Sequence, residues 1–189
     1  MKTKLFPLLL TAGVTALASP AIANSAESEA KLNFSCQTID GVATTVAQSS
    51  KGDAQIPVFH WQPEALANRT SDSPQELCND VTQKLQALSA DYDLSNLNFI
   101  GTTLIAEGEI PMVCATTGGP KCSKVLFSLN PTNEEKASAV AGSVVDAILD
   151  KNLEPQKTVL GPTRGVQSIS YQVDFWSLLG LGIKSSYKY

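Results

Sequence analysis

The chain has 189 residues, 43% of them hydrophobic, with 14 basic and 18 acidic side chains and a formal net charge of −4. A negative balance without any dense Lys/Arg cluster repels phosphate backbones and gains nothing from counterion release, so nucleic acid is an unsuitable partner. An anionic membrane surface would repel it as well, unless apolar contacts do the holding.

Met1-Lys2-Thr3-Lys4 is followed by an apolar run from Leu5 to about Ala18 and then by Ser19-Pro20-Ala21-Ile22-Ala23. A basic start, a short apolar core and a small-x-small ending make a secretory signal peptide cut after Ala23. The run is shorter than the roughly 20 apolar residues a membrane span needs. Cleavage removes Lys2 and Lys4 and so takes the net charge from −4 to about −6. What remains is long enough for one domain with a sizeable core.

Residues 24–31 are small and polar, a flexible leader. Leu32, Phe34 and Cys36 then alternate with Asn33, Ser35 and Gln37, the period of a half-buried strand. Asp40-Gly41 marks a turn, Ala43–Gln48 a second strand, and Ile56–Trp61 a third, in which Pro57 requires an edge or end position. Gln62–Asp72 reads as irregular. Ser73, Pro74 and Glu76 form a helix start with N-cap, N1 proline and capping box, and Leu77, Cys78, Val81, Leu85 and Leu88 make one apolar stripe from about Pro74 to Ala90.

A fourth strand is expected over Leu97–Ala106. Ile110 to Leu129 then forms a hairpin around Thr117-Gly118-Gly119-Pro120, supplying strands five and six. Glu134 and Glu135 suit the start of a second helix, whose face of Ala137, Val140, Ala141, Val144, Ile148 and Leu149 runs to about Lys151. Because that face is built of small residues, close packing is expected. From residue 152 the pattern changes: Pro155, Gly161, Pro162 and Gly165 read as a linker, Ser168–Phe175 as an amphipathic strand, and Trp176–Ile183 as an apolar tail. The fold class is therefore α+β: two three-stranded antiparallel meanders making one sheet of about six strands, covered by one helix, with a second helix and a C-terminal strand. The stapled domain spans 32–151 and the linker and tail 152–189.

Four cysteines in an exported chain read as two disulfides with three open connectivities. Cys114 and Cys122 flank the hairpin turn, where pairing brings Cα atoms near the usual 5.5–6 Å, which leaves Cys36 for Cys78. In the chain-entropy picture the short loop stabilises by roughly 2.5 kcal/mol and the long one by roughly 4 kcal/mol. No C-x-x-C occurs and His60 is the only histidine, so neither a metal site nor a redox pair, and no cofactor, is expected.

Catalytic constellations are equally sparse. His60 sits between Phe59 and Trp61 with no G-x-S-x-G to position a nucleophile, and reads as a partly exposed strand histidine. Asp91, Asp93 and Ser95 imitate a calcium loop, but Asn96 and Thr102 replace its glycine and its bidentate glutamate. The tail offers the one candidate contact surface: Trp176, Leu178, Leu179 and Ile183 could meet a membrane interface or a protein partner.

Phe34–Cys36, Gly41–Thr45, Ile56–Trp61, Ser73–Thr82, Ile110–Cys114 and Cys122–Pro131, in that order, resemble the cyanobacterial circadian oscillating protein family over about residues 32–131. Leu77 stands where members usually carry arginine. The resemblance implies a cyanobacterial source, export to the periplasm, the thylakoid lumen or an outer membrane surface, and peripheral membrane association, with no catalytic residues to carry over. The expected function is a non-enzymatic accessory protein. The alternatives are a small secreted hydrolase using carboxylates, and an inhibitor or ligand-binding module that reads with the Ala115–Lys121 loop.

Overall fold

Asp40 and Gly41 both adopt positive φ, 51° and 80°, the backbone that a two-residue hairpin turn demands and that Asp and Gly tolerate. They join β1 (Leu32–Ile39) to β2 (Val42–Ser49), paired from Leu32↔Ser49 to Ile39↔Val42. β3 (Gln55–His60) adds antiparallel to β2, with a register shift at Thr45/Val46. Pro57 lies on this edge strand opposite Val46, where the β2–β3 register shifts. The computed structural model describes residues 31–92, 94, 97–104, 110–117, 121–130, 137–153, 158–163 and 166–179. The signal peptide and the leader up to residue 30, Glu134 and Glu135, Asp93 and Ser95 of the calcium-like turn, and Ile183 lie outside them.

The stretch expected to be irregular contains a single turn of helix, α1 (Pro63–Leu66), begun by its proline. α2 (Pro74–Asp91) starts as its capping box requires. The Ser73 hydroxyl accepts from the Glu76 N–H at 3.3 Å, and the Glu76 carboxylate accepts from the Ser73 N–H at 2.8 Å. Its buried stripe includes Leu77, Cys78, Val81, Leu85 and Leu88, as the spacing predicts. β4 (Leu97–Leu104), β5 (Ile110–Thr117) and β6 (Lys124–Ser128) form the second meander. α3 (Ala137–Ile148) runs into a 3-10 turn at Lys151–Leu153, and β7 (Thr158–Thr163), β8 (Val166–Val173) and the one-turn α4 (Phe175–Leu178) follow.

The fold class stands, but two details of the strand arrangement differ from expectation. The strands form two sheets, β1-β2-β3 and β6-β5-β4-β8-β7, and the supposed linker contains β7. The inner edge of β4 is taken by β8, in register from Leu97↔Val173 to Gly101↔Ile169. Gly161 and Pro162 fall where the β7–β8 register shifts, and β7 is an edge strand, so both residues are accommodated.

With that edge occupied, the two sheets meet through side chains. Phe59 packs on Phe99 with centroids 4.7 Å apart and on Trp61 at 5.5 Å, and Trp61 meets Phe127 at 5.4 Å. α2 packs on β1, β2 and also β6. Gln86 accepts the Phe34 N–H at 2.8 Å and Lys84 donates to the Leu126 carbonyl at 2.7 Å, so polar side chains of one helix serve strands of both sheets. α3 packs against β4, β5 and β8. It approaches β4 so closely that a Cβ on Gly101 would stand 2.4 Å from the Gly142 nitrogen, the close packing its small residues imply.

Candidate functional site

The four cysteines are staples. Cys36–Cys78 joins β1 to α2 with Cα atoms 5.6 Å apart, and Cys114–Cys122 closes the β5–β6 hairpin at 5.4 Å. The pairing is the one hairpin geometry favours, and both disulfides suit an oxidising compartment. Among the described residues there is no free cysteine, no group of three His, Cys, Asp or Glu placed to hold a metal ion, and no helix long and apolar enough to cross a membrane.

The predicted contact surface is rearranged by α4. Asp174 caps this turn, accepting the Ser177 N–H at 3.1 Å. Phe175 and Leu179, four residues apart, share the inward face and enter the core at 0% and 9% exposure. Leu179 is therefore not available to a partner, a correction that follows from helical spacing. Trp176 is partly buried against the core, and its indole N–H is buried without a hydrogen-bond partner among the described residues. Leu178 alone of the three points outward, 44% exposed, on the rim of a cleft of about 220 Å³ that Asn152, Leu153, Val173, Asp174 and Ser177 also line.

A second cleft, about 300 Å³, lies between the β1–β2 turn and the start of α2, lined by Thr38, Gly41, Val42, Trp61, Ser73 and Gln75 among others. Asp174 is the one carboxylate lining the first cleft, and none lines the second. Glycosidase-type chemistry needs two opposed carboxylates, which neither described cleft supplies. The Ala115–Lys121 loop begins with Ala115 and Thr116 both fully buried, leaving little of its start to read a ligand.

One cluster escaped sequence reasoning. The Nε2 atom of His60, on β3, lies 2.7 Å from the Asp150 carboxylate just after α3, and its Nδ1 lies 3.4 Å from the Thr44 hydroxyl on β2. Thr44, His60 and Asp150 thus have the connectivity of a nucleophile, base and orienting acid. Accessibility decides against that use. Thr44 is 0% exposed, its hydroxyl donates to the Val42 carbonyl at 3.1 Å, and neither cleft is lined by Thr44 or His60. At 0% exposure the Thr44 hydroxyl is withdrawn from solvent, an arrangement ill suited to meeting a substrate carbonyl. Nothing in the sequence flagged it, because 90 residues separate His60 from Asp150.

No match is found among curated proteins or among solved structures. The family model described as circadian oscillating protein COP23 matches residues 33–179, extending the likeness through β7, β8 and α4. With the ordered motifs and both disulfides inside that span, the chain belongs to the circadian oscillating protein COP23 family.

Proposed function

We propose that this protein is a non-enzymatic, exported accessory protein of a cyanobacterium that associates peripherally with a membrane or a membrane-bound protein complex. The observation that carries the reading is Leu178, a large apolar side chain 44% exposed at the rim of a cleft, in a sequence where the apolar residues Leu181 and Ile183 follow. Family membership and the two disulfides support an extracytoplasmic location, in the periplasm, the thylakoid lumen or at an outer membrane surface. The signal peptide expected over residues 1–23 would direct export. With a net negative charge, apolar contact rather than electrostatic attraction would hold the protein at the surface.

Membrane fractionation tests this. The native protein should sediment with membranes, resist a salt wash and be released by alkaline carbonate, whereas Leu178→Asp should shift it several-fold toward the soluble fraction with an unchanged circular dichroism spectrum. A protein wholly soluble before any wash, with no co-purifying partner, would overturn the reading. Deleting residues from 168 onward is not an equivalent test, since it removes most of β8 from the middle of the five-stranded sheet.

A further inference from the structure

The two disulfides differ in how a thiol can reach them. In Cys36–Cys78 each sulfur has a polar side chain set against it. Cys78 is 0% exposed, with the Thr45 hydroxyl of β2 lying 3.8 Å from its sulfur. The Gln75 side-chain amide, on α2, donates to Cys36 Sγ at 3.2 Å. Cys114–Cys122 is lopsided instead. Cys114 is 0% exposed within β5, whereas Cys122 is exposed, as are Lys121, Ser123 and Lys124 around it.

The bonds also differ in what they hold. Cys36–Cys78 ties β1 to α2 across 42 residues, and opening it frees a helix from a strand. The β5–β6 hairpin is closed by hydrogen bonds beside its disulfide. The Ser123 N–H donates to the Ala115 carbonyl at 2.9 Å, and the Thr117 N–H donates to the Ser123 hydroxyl at 3.2 Å. The ladder continues through Ala115↔Lys124 and Cys114↔Val125. Opening Cys114–Cys122 is therefore a local event. Lys121 and Lys124 add two positive charges here, in a chain of formal net charge −4, and draw an anionic thiolate toward this end of the hairpin.

We propose that Cys114–Cys122 is a thiol–disulfide exchange site, opened by a dithiol reductant while Cys36–Cys78 stays closed. A thiolate of the dithiol attacks Cys122 Sγ, the sulfur on the exposed residue, forming a mixed disulfide and breaking the bond to Cys114. The Cys114 sulfur leaves with the electron pair and takes up a proton, and as a small apolar thiol it suits its buried position. The second sulfur of the dithiol, as thiolate, then attacks its neighbour in the mixed disulfide and releases Cys122. Two electrons pass to the protein: the dithiol ends as a disulfide, and Cys114 and Cys122 end as thiols. Lacking a C-x-x-C, the chain is a substrate of this exchange rather than its catalyst. The proposal is independent of membrane association.

Timed reduction of the folded, oxidised protein with dithiothreitol tests this, with acid quenching, alkylation of the freed thiols and peptide mapping. Cys114 and Cys122 should be labelled together, at least about tenfold faster than Cys36 and Cys78, because exchange follows access to the sulfur. The circular dichroism spectrum should be unchanged while only the first bond is open. A brief pulse of the monothiol 2-mercaptoethanol reports the point of attack: the adduct should sit on Cys122, with Cys114 alkylated. Equal labelling of all four cysteines, earlier opening of Cys36–Cys78, or loss of the folded spectrum as Cys114–Cys122 opens would each overturn the proposal. So would an adduct on Cys114, or a Cys114–Cys122 bond that yields to dithiothreitol only in denaturant. None of these measurements needs a variant to fold.

Discussion

Replacing Gly101 by alanine adds one methyl group where the structure has no room for it. The new Cβ would stand 2.4 Å from the Gly142 nitrogen, 2.8 Å from the Ala141 carbonyl carbon and 2.8 Å from the Gly142 Cα. All three are backbone atoms of α3, so no side-chain rotation relieves the overlap. Restoring ordinary contact requires the helix to retreat from β4 by about 1 Å. That retreat loosens Ala141, Val144, Val145 and Ile148, each no more than 1% exposed, and disturbs the Tyr171 hydroxyl on the Gly142 carbonyl. Overpacking of this kind costs about 1–3 kcal/mol, and because the obstacle is backbone we expect about 3 kcal/mol. For a chain of this size that corresponds to a fall in Tm of roughly 10 °C. Urea unfolding should show a lower midpoint at unchanged m. Gly52→Ala is the control, since a Cβ there meets nothing within 4 Å and should change stability by less than about 0.5 kcal/mol. If Gly101→Ala unfolds within that same margin of the native protein, α3 does not pack on β4 as described.

The two disulfides should differ in weight. Opening Cys36–Cys78, separated by 42 residues, should cost about 4 kcal/mol, against about 2.5 kcal/mol for Cys114–Cys122, separated by 8, read as urea midpoints of the paired Cys→Ala variants. The Glu76 carboxyl is held below the ordinary carboxylate range first by the Ser73 hydroxyl and then by the Ser73 backbone N–H. A depressed folded value means its contribution is present above the unfolded value and lost as pH falls through the folded one. Carboxyl NMR titration should therefore give Glu76 a midpoint below that of an unstructured glutamate, and Ser73→Ala should raise it. A midpoint unmoved by Ser73→Ala would mean that the capping box does not hold the charge.

Much of this molecule was legible because the signals are local. The Asp40-Gly41 turn, the Ser73 capping box and the α2 stripe each involve residues within a few positions of one another, and each stands in the structure as its spacing implies. The disulfide pairing was legible at longer range because only three pairings exist and a hairpin brings Cys114 and Cys122 together. The exposure of the tail residues was legible only in part. Apolarity made Trp176, Leu178 and Leu179 equivalent candidates, whereas packing of α4 through Phe175 turned Leu179 inward and left Leu178 outside.

What the sequence by itself determined, then, is most of the elements, β1 to β6, α2, α3 and β8, together with the cysteine pairing, whereas α1, β7 and α4 were not legible in it. The tertiary structure alone decided how those elements are assigned to one another. Alternation shows that a strand such as Val166–Val173 has two unlike faces, but it carries no information about which edge the strand will pair with. The insertion of β8 beside β4, and the division into two sheets, came from competition for that edge. The His60–Asp150 contact spans 90 residues and exists only once α3 is laid against β3, a placement set by Gly101, Gly142 and the aromatic core together. Local periodicity encodes burial, whereas partnership is settled by the packing of the whole chain.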